Sequence, residues 1–217
     1  MTLVQGTLEA SDTGIVNADT PDGLSAIRQP GCAAVIWERR PLPRFQNWIN
    51  GLAPERLPSA RIILRPELVC DALLNITRAC GLSEGSGRDL LIDDVSALAA
   101  IFADVMRVDY LRLRLGVTND NACRKFHIDA VTARLVCTYR GTGTQYGVST
   151  DGSDPSHVST VPTGSPIILR GTHWPEAPIS GLLHRSPPIE GTGETRLVLV
   201  LDPVEDPSAE PDRRFMH

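Results

Sequence analysis

The sequence predicts an α+β protein in which an N-terminal helical region precedes a C-terminal half made of strands. Apolar residues recur every three or four positions up to about residue 108 and every two positions after residue 109. Gly, Pro, Ser and Thr separate the later strands, as is typical of a β-sandwich or a jelly-roll barrel. The 217 residues are 41% hydrophobic and 22% charged, which indicates a globular chain with its own core.

Four regions are expected along the chain. Residues 1–30 are polar and turn-rich, which predicts a flexible lead-in rather than a core element. Residues 31–108 are expected to form the mainly helical N-terminal region, packed on a strand-rich core over residues 109–202. Residues 203–217 combine prolines with acidic residues and predict a disordered tail.

The N-terminal region begins with an apolar run at residues 32–37, which predicts a short strand. Helices are then predicted over residues 45–52, 66–81 and 89–108, with a proline at the start of the second and a glycine at its end. The third helix has the most regular pattern. Its apolar residues recur at three- and four-residue steps, namely Leu91, Val95, Leu98, Phe102 and Val105.

Alternation of apolar and other residues predicts five strands in the second half of the chain. They span residues 110–117, 123–128, 133–139, 165–170 and 195–201. The basic residues that lie between positions 107 and 125 are interleaved with aspartates, so we expect them to form a solvated face.

The composition excludes several classes of protein. A net charge of −5 gives no general attraction to nucleic acid or to anionic lipid. The apolar stretches are far shorter than the roughly 20 residues of a membrane span, and the N-terminus lacks the pattern of a secretory signal. The five cysteines include no Cys-x-x-Cys pair and indicate reduced thiols, so we expect a cytoplasmic protein that does not contact a membrane.

The most informative motif is His127-Ile128-Asp129 on a predicted strand. Residues two apart on a strand face the same side, so the imidazole and the carboxylate can converge on one metal ion. His184 is the leading candidate for a third ligand, because its apolar lead-in suits a short strand. Two histidines and one carboxylate form the facial triad of non-haem Fe(II) oxygenases, and zinc could occupy the same site.

Other residues compete for these roles. His173 is the chief rival as third ligand, whereas His157 lies in a polar loop and His217 is terminal. Cys123 and Cys137 flank the motif and could bind zinc, although core packing fits them better. A Cys/His nucleophile pair lacks any supporting local signature.

Arg196 begins the last, strongly apolar strand, 12 residues after His184. Alternation places it on the same face as Val198 and Val200, aimed into the barrel. A buried guanidinium is costly unless a carboxylate meets it, and a bound dicarboxylate would supply one.

The order His-x-Asp, His, Arg resembles the double-stranded β-helix superfamily of Fe(II)/2-oxoglutarate-dependent dioxygenases. The resemblance implies a cupin-like jelly-roll core in which His127, Asp129 and His184 bind iron, while Arg196 binds the distal carboxylate of 2-oxoglutarate. It also implies hydroxylation or a related oxidation. Many such enzymes have a hydroxyl two residues after the arginine, where this chain has Val198.

Three residues of the strand predicted over residues 133–139, which follows the His-Ile-Asp motif, could compensate for the missing hydroxyl. Prolyl-hydroxylase-like members have an arginine and a hydroxyl-bearing strand at a similar place, which implies cosubstrate-binding roles for Arg134, Thr138 and Tyr139.

Longer strings are similar to a bacterial family defined as a domain of unknown function. They are Phe126–Asp129, Arg134–Gln145, His184–Pro188 and Arg196–Leu199. The alternative function is a cupin-like protein that binds zinc or another divalent metal in metal homeostasis, without turnover. For the enzyme we expect a small-molecule or peptide substrate, which the sequence does not identify, and no nucleic acid partner. The sequence does not indicate the oligomeric state.

Overall fold

The computed structural model describes residues 14–149, 151–176 and 180–208. The chain is a mixed α+β protein with two sheets and three α-helices among these residues. The helices are α1 (Pro43–Gly51), α2 (Val69–Ala79) and α3 (Ser86–Met106). Three short 3-10 helices lie at Pro21–Arg28, Pro54–Arg56 and Pro66–Leu68.

The larger sheet has seven strands in the order β1-β2-β8-β5-β10-β4-β3. Only the β1–β2 pair is parallel. The strands are β1 (Ile15–Ala18), β2 (Ala34–Trp37), β3 (Ala60–Leu64), β4 (Tyr110–Thr118), β5 (Ala133–Arg140), β8 (Pro166–Arg170) and β10 (Arg196–Val204).

The smaller sheet has three antiparallel strands in the order β7-β6-β9. They are β6 (Gln145–Val148), β7 (Ser159–Thr160) and β9 (Leu182–Arg185). Gln145 of β6 pairs with Arg185 of β9, and Tyr146 pairs with His184.

The large sheet has an apolar core on each face, because successive strand residues point to opposite sides. On one face, Leu113, Leu199 and Leu201 pack with the apolar stripe of α3 that includes Leu98 and Phe102. On the other face, residues such as Val136 and Ile167 pack with Val161 and Leu182 from the side of the small sheet. Val198 and Val200 join this second core. The space between the two sheets is therefore the place where polar side chains of β4, β5 and β10 can meet.

The structure differs from the sequence prediction at the start of the chain. Within the expected flexible lead-in, residues 15–18 form β1 and residues 21–28 form a 3-10 helix with buried Leu24 and Ile27. The apolar side chains of this segment are too far apart in sequence for a periodic signal, but they complete the core beside β2. Residues 1–13 lie outside the described residues.

Three further differences concern strands. β3 adds an unpredicted strand to the region that was expected to be mainly helical, whereas β2 forms at the strand predicted over residues 32–37. The strand predicted over 123–128 is absent, and only His127 makes an isolated bridge there. The last strand continues to Val204, beyond the expected start of the tail, while residues 209–217 lie outside the described part of the chain.

None of the described helices is both long and apolar enough to cross a membrane.

Candidate metal centre

His127 and His184 are held side by side by backbone pairing. The backbone N–H of each residue donates to the carbonyl of the other, with both N···O distances at 3.0 Å. Their imidazole ring centroids are 4.6 Å apart. His184 lies on β9, whereas His127 belongs to an irregular segment that this bridge attaches to the small sheet.

Asp129 is fixed by a different contact. The backbone N–H of Thr172, in the loop after β8, donates to the Asp129 carbonyl at 2.9 Å. Gly171 approaches this segment so closely that an added Cβ would lie 1.9 Å from the Val131 carbonyl oxygen and 2.7 Å from that of Asp129. A residue without a side chain is needed there for the backbone of Asp129 to keep its position.

The three side chains meet at one point. One ligand atom from each of His127, Asp129 and His184 lies within 4.8 Å of the others. Nε2 of His184 is 3.0 Å from Oδ2 of Asp129, and Nε2 of His127 is 3.5 Å from Oδ1. Nδ1 of His127 lies 2.9 Å from the carbonyl of Lys125, which can only accept a hydrogen bond. His127 therefore carries its proton on Nδ1 when neutral, leaving the Nε2 lone pair free to bind a metal.

Two properties of the cluster fit a divalent transition metal. Oδ2 of Asp129 is buried and accepts no hydrogen bond of acceptable geometry, although His184 is close. A buried carboxylate oxygen without a hydrogen-bond donor is costly, and a cation between it and the two imidazoles would satisfy it. Two nitrogens and one carboxylate oxygen are also the donor set of non-haem Fe(II) and of some zinc centres.

The charges in the cluster favour an ionised carboxylate. Burial alone would raise the pKa of the Asp129 carboxyl, but His127, His184 and the charge of Arg134 hold this pKa well below its usual range. The Asp129 carboxylate in turn raises the pKa of His127, against the opposing effect of burial. Asp129 is thus available as an anionic ligand at neutral pH.

Arg134 positions the carboxylate. Its Nη1 donates to Oδ1 of Asp129, while its Nε and Nη2 donate to the two oxygens of Asp202 at 2.6 and 2.9 Å. Asp202 is 1% exposed, so this is a buried ion pair. The implied role of Arg134 in binding the cosubstrate stays a prediction, and in the structure its guanidinium edges contact two carboxylates. Arg134 also lines the cavity.

A cavity of about 250 Å³ lies beside the cluster. Its wall includes both histidines together with Arg196, Val198 and Val200 of β10. The alternation along this strand thus places the arginine and both valines on the face of the sheet that meets the candidate metal centre.

Arg196 is a buried cation without a carboxylate partner among the described residues. It is 2% exposed, its Nε donates to the Thr142 carbonyl at 2.7 Å, and its Nη2 lies 3.4 Å from the Thr138 hydroxyl. Burial lowers the pKa of Arg196 to about 10, and the charge of Glu194 only partly opposes this effect. The site is electrostatically prepared for an anion.

Thr138 and Tyr139 are separated by the alternation of β5. The Thr138 hydroxyl is next to Arg196, but the Tyr139 hydroxyl donates to Oδ2 of Asp94 on α3 at 2.6 Å. Tyr139 therefore belongs to the helix side of the sheet, and its implied cosubstrate role is corrected. Adjacent strand residues cannot both point into the same cavity.

The competing candidates lie elsewhere or contribute differently. His173 and His157 are exposed and are not part of the cluster, while His217 lies outside the described residues. Cys137 is fully buried on the helix side, where burial raises its pKa to about 12. Cys123 is exposed and lines the cavity, but is not among the clustered ligand atoms.

Sequence reasoning missed two groups of cavity residues. Thr144 lines the cavity at the end of residues 141–144, which the sequence predicts as a turn, and the Thr142 carbonyl in that turn accepts a hydrogen bond from Arg196. Arg114 and Arg185 also line the cavity, although Arg114 was assigned to a solvated face. The sequence shows that Arg114 alternates with Leu113 and Leu115, which are buried. It does not show that a second core covers the sheet face on which Arg114 lies.

The family model described as "Protein of unknown function (DUF1826)" matches residues 18–202, and the chain belongs to this family. No curated protein matches the sequence significantly.

Several solved structures are similar in fold. The rice dioxygenase for auxin oxidation is 11% identical, with a TM-score of 0.47 over 85% of this chain and 78% of that chain. A Pseudomonas putida prolyl-4-hydroxylase is 10% identical, with a TM-score of 0.45 over 86% and 100%. A putative oxygenase from Shewanella oneidensis is 16% identical, with a TM-score of 0.43 over 89% and 91%. At such identities and TM-scores, these similarities carry no conclusion about function.

Proposed function

We propose that the protein is a mononuclear non-haem Fe(II), 2-oxoglutarate-dependent dioxygenase that catalyses a hydroxylase-type oxidation. The observation that carries the proposal is the pairing of two features in one cavity. The two histidines of the His-Asp-His donor set lie on its wall, and the buried guanidinium of Arg196, which has no described carboxylate partner, faces the same space. A zinc-binding protein would need the donors but not the arginine.

His127, Asp129 and His184 are the proposed iron ligands. Three protein ligands leave coordination positions open for cosubstrate and oxygen, as a facial triad does. The backbone bridge between the histidines fixes their rings, and Arg134 engages Oδ1 of Asp129 so that Oδ2 is available to the metal. These contacts set the ligand geometry before metal binding, which reduces the cost of ordering the site.

Arg196 is the proposed partner of the distal carboxylate of 2-oxoglutarate. Its planar fork can make two parallel charge-assisted hydrogen bonds with a carboxylate. The hydroxyl that Val198 lacks is supplied from the neighbouring strand, since Thr138 pairs with Val198 in register and its hydroxyl lies beside Arg196. The arrangement of two sheets around this cavity supports a double-stranded β-helix core.

Bound iron would supply oxygen activation, coupled to oxidative decarboxylation of 2-oxoglutarate, so that one oxygen atom enters succinate and the other enters the substrate as a hydroxyl group. The residues of the chain would bind the metal and the cosubstrate, orient them relative to each other and limit the access of water. Val136, Val198 and Val200 give the cavity an apolar floor that limits water. Arg196 and Thr138 would orient the cosubstrate relative to the metal ligands.

The test is an anaerobic titration of metal-free protein with Fe(II) and then with 2-oxoglutarate, followed through the weak visible charge-transfer band of the chelate. We expect the band in the wild type and in Arg61→Met, an exposed control on β3. Arg196→Met should weaken 2-oxoglutarate binding about 30-fold or more, because it removes a buried charge pair. Fe(II) binding without any band would overturn the proposed function.

Zinc binding without turnover is the alternative that the donor set supports. Two histidines and a carboxylate are a known zinc set with an open fourth position. Tight zinc binding, no 2-oxoglutarate affinity and no effect of Arg196→Met would together favour this alternative.

A further inference from the structure

The cavity is far more basic than the chain as a whole. Its lining contains four arginines and no carboxylate residue, although the protein carries a net charge of −5. These arginines are Arg114, Arg134, Arg185 and Arg196. A concave wall with one sign of charge raises the local concentration of oppositely charged ligands.

Three of the four arginines already have a partner or a proposed one. Arg134 is held by Asp129 and Asp202. Arg185 stacks on Phe126 at 4.4 Å from the ring centroid and donates to Gln145. Arg196 is reserved for the cosubstrate carboxylate in the proposed function.

Arg114 has no comparable partner. Its nearest carboxylate is Asp202, whose Oδ2 lies 3.8 Å from Nη2, beyond hydrogen-bond distance. Arg134 already donates to both oxygens of that carboxylate at 2.6 and 2.9 Å. The Nε of Arg114 is buried and makes no hydrogen bond to the described residues.

The surroundings of Arg114 also repel its charge. Burial and then the charge of Arg134 lower the pKa of Arg114 most, Arg61 lowers it further, and the charges of Asp202 and Asp129 oppose these effects only in part. Arg61 lies directly opposite Arg114 on β3, and like charges at such positions destabilise a sheet. An anion bound in the cavity would accept a hydrogen bond from the buried Nε of Arg114 and would also reduce this repulsion.

We propose that Arg114 forms a second anion site in the cavity and that the primary substrate carries a carboxylate or phosphate group bound there. The term substrate rests on the proposed function, whereas the anion site does not. Arg114 lies on β4 opposite Val200 of β10, and both residues line the cavity that also contains the metal-ligand histidines. An anionic substrate bound at Arg114 would therefore occupy the same cavity as the proposed reaction.

The test uses the Arg196→Met background, in which the cosubstrate arginine is absent and remaining anion binding reports on Arg114. Metal-free protein at about pH 8, where most histidines are neutral, is titrated by calorimetry with inorganic phosphate and separately with acetate. We expect at least one probe to bind. Adding Arg114→Gln should weaken that binding about tenfold or more, since hydrogen bonds to charged groups are lost.

Arg61→Gln in the same background is the matched control, because it removes one exposed arginine next to Arg114 that does not line the cavity. It should leave the affinity unchanged within about twofold. If only phosphate binds, the substrate is assigned a phosphate group, and if only acetate binds, it is assigned a carboxylate. Binding of both probes supports a site for an anionic group of either kind. Binding of neither probe, or equal losses in Arg114→Gln and Arg61→Gln, would overturn the proposal.

Folding is checked by thermal unfolding of each variant. If Arg114→Gln does not fold, Arg114→Lys replaces it, and a loss of about tenfold is still expected because lysine lacks the planar fork. Wild-type affinity in Arg114→Lys would then count against the site. The two proposals fail separately: absent 2-oxoglutarate binding in the wild type removes the dioxygenase, and absent anion binding in Arg196→Met removes the second site.

Discussion

The backbones of His127 and His184 hydrogen-bond to each other in both directions at 3.0 Å, although the residues are 57 positions apart. This bridge joins an irregular segment to β9 and brings the two imidazoles to a ring separation of 4.6 Å. The spacing of the histidines thus depends on main-chain pairing, so a side-chain substitution can remove a ligand without removing the bridge.

We expect His184→Ala and Asp129→Ala each to lower metal affinity at least about a hundredfold, because each removes one of three donors from a preorganised site. The measurement is metal content after dialysis against Fe(II) or Zn(II). His157→Ala is the control, since His157 is exposed and outside the cluster. Unchanged stoichiometry in the double variant His127→Ala/Asp129→Ala would contradict the assignment of these ligands.

Gly171→Ala should damage the site from a distance. The new methyl group would lie 1.9 Å from the Val131 carbonyl, so the segment that carries Asp129 must shift. We expect metal affinity to fall about tenfold or more and the unfolding temperature to fall by several degrees. Gly51→Ala at the end of α1 has no atom within 4 Å of its added Cβ and should change neither quantity.

Arg134→Met should destabilise the metal-free protein by about 3 to 5 kcal/mol, because it leaves the Asp202 carboxylate buried without its closest partner. Urea unfolding measures this loss. The comparison variant is Arg65→Met, whose ion pair with Glu67 is solvent-exposed at 3.7 Å, so its loss should change stability far less. Equal losses would show that the buried network adds nothing.

Thr138→Val and Tyr139→Phe test the two faces of β5. Thr138→Val should weaken 2-oxoglutarate binding about fivefold, because it removes a hydroxyl beside Arg196. Tyr139→Phe should leave that binding unchanged but lower stability by about 1 kcal/mol, since Asp94 loses a hydrogen bond. Calorimetric binding and urea unfolding of both variants check the assignment, and a reversed pattern would refute it.

Stability should fall as the pH rises above about 8.5. Burial raises the pKa of Cys32 to about 11 and that of Cys137 to about 12, so both thiols stay protonated in the folded chain while unfolded thiols ionise. Ionisation therefore lowers the free energy of the unfolded state at a pH where the folded state is not yet affected, and the free energy of unfolding decreases. Urea unfolding at about pH 7 and pH 10 measures the change, and Cys137→Ala should show a smaller decrease than the exposed control Cys70→Ala.

Much of the fold could be predicted because its signals are local. The stripe of α3 and the alternation of β4, β5 and β10 are properties of short windows, and all four elements form close to their expected positions. The strand predicted over 123–128 is wrong, because β-propensity does not form a strand where only one residue finds a pairing partner. β1 and β3 were missed, since edge strands carry weak apolar patterns and depend on a neighbour.

The sequence by itself determined which residue types are available, namely two histidines and an aspartate as candidate donors, and it determined that the arginine lies on the valine face of β10. Only the tertiary structure decided which of them meet. The pairing of His127 with His184, of Arg134 with Asp202 and of Thr138 with Arg196 spans 57 to 68 residues. Such contacts depend on strand order and register, which packing of the two cores selects and no local pattern encodes.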